Sequence, residues 1–113
     1  MDKIEELRFK LNSLIGKEFT EDFTMSSKEI SKLIGVAHED ILERIHEIED
    51  YAPVECKDFF SKGDNDEYII TRQGFIAVIG VFDTSIVNDI VVTHVMLFEA
   101  IREDLKNFST VLA

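Results

Sequence analysis

Cysteine is almost missing from this chain: Cys56 is the only one, which excludes an internal disulfide. Nothing near the N-terminus has the basic-then-apolar build of a secretory signal, so a reducing cytoplasm is the expected compartment. Long hydrophobic runs are missing too. The richest stretches, Phe75 to Phe82 and Ile90 to Val92 with Val95 to Phe98, are interrupted well before the roughly 20 residues a bilayer requires. Positive charge is scarce, with 12 Lys and Arg against 23 Asp and Glu and a net charge of -11. A chain of that sign is soluble and is repelled by nucleic acid. No nucleophile elbow, phosphate loop or zinc spacing occurs, and "GDNDE" around Asp64 lacks the twelve-residue calcium pattern. Neither enzyme activity nor a cofactor or metal is therefore expected.

What is there is a foldable chain. Its 45% hydrophobic content separates it from disordered acidic tails, and its 113 residues make one domain, 1–113, able to bury roughly two thirds of its unfolded surface. Residues 1–16 space Ile4, Leu7, Leu11, Leu14 and Ile15 as an amphipathic helix, with Gly16 as its stop. "FTEDFTM", 19–25, reads as a short strand or an extended lead-in. In "SSKEISKLIG", Ser26 and Glu29 form a capping box and Gly35 supplies the left-handed terminus of a helix over 27–34. After a three-residue turn, Ile41, Leu42, Ile45 and Ile48 define a second helix from about 38 to 50. Two helices joined by a tight Gly-containing turn make a helix-turn-helix.

The only proline, Pro53, ends that run. "VECKDFF" and "EYIIT" flank the polar cluster "SKGDND" and predict a β-hairpin, which in this context is a wing, with Cys56 a small buried residue on its first strand. Thr71 caps an apolar helix over 72–82 that belongs in the core, and Asp83 or Thr84 caps a long last helix to about 108. The expected fold class is α+β: a winged helix-turn-helix-like domain with an N-terminal helix, a β-hairpin wing and a long C-terminal helix. The last helix carries more apolar surface, Ile86 through Phe108, than one stripe needs, so a homodimer through Val91, Val95 and Phe98 is expected.

The histidines offer little chemistry. His38 and His46 are eight apart on one helix, roughly 12 Å and too far for one metal. His94, within the apolar last helix, reads as a satisfied core or interface histidine. The acidic helix is the informative feature. Residues 37–50 hold six acids and one arginine, where a DNA-reading helix needs cations. Glu39, Glu43 and Glu47 fall on one face. The candidate partner-binding set is therefore His38, Glu39, Asp40, Glu43 and Glu47. A competing set, suited to a dimeric DNA-binding regulator, is Lys28, Lys32, Lys57, Lys62 and Arg72.

Two blocks carry a family likeness. In "SKEISKLIGVAHEDILERI", Ser27, Glu29, Ile30, Gly35, His38, Ile41, Leu42 and Ile45 follow one ungapped pattern, and "YIITRQGFIAVIGVF" supplies a Tyr-x-apolar-Thr-x-x-Gly-Phe run, with Phe98 and Ile101 further on. Over roughly residues 26–102 the chain resembles the phage regulatory protein Rha family. The resemblance implies a winged helix, a regulatory or antirepressor role, and a bacterial host cytoplasm. It also implies basic residues after the turn glycine and at the start of the last helix, where this chain has Val36-Ala37 and "DTSIV". The expected function is a small phage-type regulatory or counter-defence protein. Its acidic helix, in effect a DNA mimic, would bind a basic-surfaced protein, either a phage repressor or a host nucleic-acid-binding protein.

Overall fold

Asp2 starts the first helix by accepting from the Glu5 N–H at 2.8 Å, and Gly16 ends it with φ 81° and a bond to the Asn12 carbonyl. The computed structural model describes residues 2–112, with side chains through Asn107. Among these residues are five helices and three strands in the order α1 (Lys3–Ile15), β1 (Thr24–Ser26), α2 (Ser27–Ile34), α3 (His38–Tyr51), β2 (Phe60–Lys62), β3 (Tyr68–Thr71), α4 (Arg72–Ile79) and α5 (Ser85–Leu112). The class is α+β, with one small antiparallel sheet of order β1-β3-β2.

The expected capping box at the start of α2 is formed: the Glu29 N–H donates to Ser26 Oγ at 3.1 Å and the Ser26 N–H to Glu29 Oε1 at 3.3 Å. Gly35, φ 71°, turns the chain into α3 within three residues. β3 is the centre of the sheet. Ile70 stands opposite both Met25 and Phe60, so its fully buried side chain joins both outer strands to the core. At the tip of the β2–β3 hairpin, Asn65 and Asp66 take left-handed conformations, which these two residue types tolerate.

Three expectations need correction. The first hairpin strand was expected across "VECKDFF", but residues 53–59 form successive turns and only Phe60 is in a strand. Local bonds hold them, Cys56 N–H to the Ala52 carbonyl and Phe59 N–H to the Cys56 carbonyl. Cys56 is buried as expected, but in this turn rather than on a strand, with its thiol directed at the Ile48 carbonyl. Second, of 19–25 only Thr24 and Met25 reach the strand. Phe19 is instead held by the Asn12 side chain, whose Oδ1 accepts its N–H at 2.9 Å, and stacks with Phe23 and Phe75. Third, α4 stops at Ile79 and not 82, so Val81 is exposed.

Thr71 caps α4 as expected, its Oγ1 accepting from the Gly74 N–H. A side chain at Gly74 would place Cβ 2.8 Å from the Phe59 carbonyl, so this helix meets the turn segment only through glycine. Thr84, of the two expected caps, accepts the Val87 N–H at 3.3 Å and begins α5, which runs past 108 to Leu112. α1 packs along α5, and the core between them and the sheet contains Leu11, Ile30, Ile41, Ile45, Phe75, Val78 and Ile90, each nearly or fully buried. No helix among the described residues is long and apolar enough to cross a membrane.

Candidate functional site

The apolar positions of α3 decide which of its charges face out. Ile41, Ile45 and Ile48 are buried, so at about 100° per residue the opposite side belongs to Glu39, Glu43 and Asp50, flanked by Asp40 and Glu47. All five are exposed. Ala37 gives α3 no side-chain cap; Glu39 and Asp40 in the first turn compensate by facing the positive end of the helix dipole. Farther along, Glu39, Glu43 and Glu47 are like charges at four-residue spacing, each pair disfavoured by about 0.2–0.5 kcal/mol.

The single arginine of this helix does not soften that face. Arg44 turns inward: Nη2 donates to the Ala77 carbonyl of α4 at 3.2 Å, Nη1 lies 3.5 Å from Glu47, and Nε is buried with no hydrogen-bond partner among the described residues. Glu49 pairs with His46 Nδ1 at 3.2 Å, and the His46 ring sits edge-on to Tyr68. Of the six acids, then, Glu47 and Glu49 have partners on their own helix, while Glu39, Asp40, Glu43 and Asp50 have no ion pair among the described residues. The inward arginine went unread in the sequence, although its position three after Ile41 and one before Ile45 borders the apolar stripe and signals it.

His38 stands apart from the carboxylates with which it was grouped. It is half-buried, with Nε2 2.9 Å from Ser27 Oγ, and the same fully buried hydroxyl accepts the Tyr68 N–H at 3.0 Å. One serine therefore ties the start of α2, the start of α3 and β3 together. Near the far end of α3, Tyr51 and Val54 are the most exposed large residues of the region, at 91% and 73%.

The competing basic set is spread over four places. Lys28 and Lys32 are exposed on α2, Lys57 lies in the 53–59 turn segment, Lys62 is on β2, and Arg72 is half-buried at the start of α4. Arg72 lines a groove with His94 that includes none of the four lysines. Burial, then the positive charge of Arg72, holds the His94 pKa below the usual histidine value. Glu29 is also shifted down: burial alone would raise it, but the Ser26 N–H and Lys17, 3.3 Å away, overcome that.

On α5, Val91 is half-buried against the core, whereas Val95 and Phe98 are 54% and 62% exposed. With Arg102 and the exposed Leu105 they follow a spacing of four, three, four and three residues, one continuous strip along the helix. The Phe108 side chain lies outside the described residues. No three His, Cys, Asp or Glu side chains converge on a metal-sized site among the described residues. No protein-family model, curated protein or solved structure matches the chain.

Proposed function

We propose that this chain is a small regulatory or counter-defence protein of phage type, related to the Rha family and of winged-helix build, that works by occupying a basic surface on another protein. α2, the Gly35 turn and α3 correspond to the helix-turn-helix, and β2–β3 to the wing. One observation carries the reading: the outward face of α3 presents five carboxylates and its only arginine is spent inward on α4. Such a face is complementary to the lysines and arginines of a repressor or a nucleic-acid-binding host factor, and electrostatic matching of this kind sets partner choice and association rate. Tyr51 and Val54 add apolar contact at one end, and aromatic residues are frequent interface anchors.

The test is reversal of Glu39, Glu43 and Glu47 to Lys, with the helical spectrum as a folding control. A bacterial protein retained by the native chain should be displaced by duplex DNA and lost with the triple variant. Retention by both would remove the proposal. A second reading, a dimeric DNA-binding regulator, draws on Lys28 and Lys32, exposed one turn apart on α2, and on Lys57, Lys62 and Arg72. It predicts micromolar, salt-sensitive binding to random duplex, which the acidic-face reading excludes. Under either reading the chain acts as a homodimer through the Val91, Val95 and Phe98 strip.

A further inference from the structure

The groove beside α5 has a character opposite to the acidic helix. It encloses about 810 Å³ between α1, the 18–21 loop, the start of α4 and the middle of α5, within the 300–1,000 Å³ usual for small-molecule sites. Phe19, Ile76 and Leu97 give it apolar walls, and it is lined by three basic groups, the half-buried Arg72 and His94 and the exposed Arg8. Among the described residues neither Arg72 nor His94 has a side-chain hydrogen bond or carboxylate partner, although both are half-buried. The His94 ring lies edge-to-face with Phe19, with centroids 6.0 Å apart.

We propose that this groove binds a small organic monocarboxylate, its head group between Arg72 and His94 and its apolar body against Phe19 and Leu97. Burial, and then the positive charge of Arg72 beside it, disfavour the protonated form of His94 and depress its basicity. A carboxylate placed between them reverses the sign of that interaction and supplies charge-assisted hydrogen bonds. The size of the anion is limited by its setting. The exposed charges on the groove lining are two acids, Glu18 and Glu21, against one base, Arg8, and the chain carries a net charge of -11, so a polyanion or a dianionic phosphate is disfavoured relative to a single carboxylate. The groove adjoins the first residue of α4, whereas Arg44 of the acidic helix meets Ala77 near its last turn, so the two sites are separate.

Octanoate, octanol and octyl phosphate are suitable probes on the full chain, read by calorimetry and by the ring signals of His94. Octanoate should bind at least about tenfold more tightly than octanol, the size of one charge-assisted contact, and should raise the pH at which His94 titrates. Arg72→Met should abolish the preference, and Lys62→Met, which removes the same charge from the hairpin, should leave it intact. His94→Gln, on a different helix, should weaken octanoate selectively and carries the test if Arg72→Met fails to fold. Equal affinity for octanoate and octanol, tighter binding of octyl phosphate, an undiminished preference in a folded Arg72 variant, or an unmoved His94 titration would each overturn the proposal.

Discussion

Two side chains on the helices have roles that a residue count conceals. Arg44 is counted among the cations, yet its guanidinium serves as a strut from α3 to the Ala77 carbonyl of α4, with a side chain only 25% exposed. Arg44→Met should therefore cost about 1–2 kcal/mol, since a charged hydrogen bond to a half-buried carbonyl is lost while the stem's packing is kept. Urea denaturation measures it; an unchanged midpoint would mean that the arginine faces solvent. His94 acts on stability through pH. Its pKa in the folded chain is depressed below the unfolded value of about 6.5, so the folded form takes up its proton later than the unfolded form. The stability it protects is complete above that value and declines as pH falls from about 6.5 toward the folded pKa. Melting temperature recorded between pH 7.5 and 5 should fall more steeply for the native chain than for His94→Gln.

At the scale of elements, α3 joins a stabilising and a destabilising pattern. Ile41, Ile45 and Ile48 anchor it, while Glu43 lies between Glu39 and Glu47 at four residues on either side. Glu43→Lys turns two repulsive pairs into attractive ones and should stabilise the chain by about 0.8–2 kcal/mol at low salt. That gain should shrink in 1 M salt, where the screening length drops to about 3 Å. Partner binding should weaken in the same variant, so thermal stability and binding would move in opposite directions. The sequence made α2 legible to the residue, because both its ends depend on local chemistry: the Ser26–Glu29 box and the left-handed Gly35. It misled over residues 54–60, where a segment flanking the polar cluster "SKGDND" opposite "EYIIT" suggested a strand. Tertiary contacts decide there: the Phe59 carbonyl accepts from both the Thr71 N–H and Thr71 Oγ1, and it packs against Gly74. The sign of the α3 face was readable from the periodicity of its isoleucines. The Ser27–His38–Tyr68 junction was not, since its members are 11 and 41 residues apart from Ser27 and only folding brings them together.

The molecule as a whole measures 51 × 30 × 23 Å, and α5, whose 28 residues extend about 42 Å, accounts for most of the long dimension. A helix that long leaves the side not covered by α1 and α2 with Val95, Phe98 and Leu105 exposed and Val91 half-covered at its base. Exposing such a strip forgoes roughly 25 cal/mol for each Å² that a partner would bury. In the proposed homodimer its heptad-like spacing would meet the same strip on a second copy, where one two-fold contact would bury both. Light scattering on the eluting protein should then give twice the 13.0 kDa chain mass at micromolar concentration. Val95→Asp should halve that mass without unfolding the chain, because Val95 is exposed in the single copy and its replacement leaves no cavity. A native chain that elutes as a monomer at high micromolar concentration would refute the pairing. With the dimer, the net charge doubles along with the number of acidic helices, so the Val95→Asp monomer should also bind a multivalent basic partner more weakly than its unchanged α3 alone predicts.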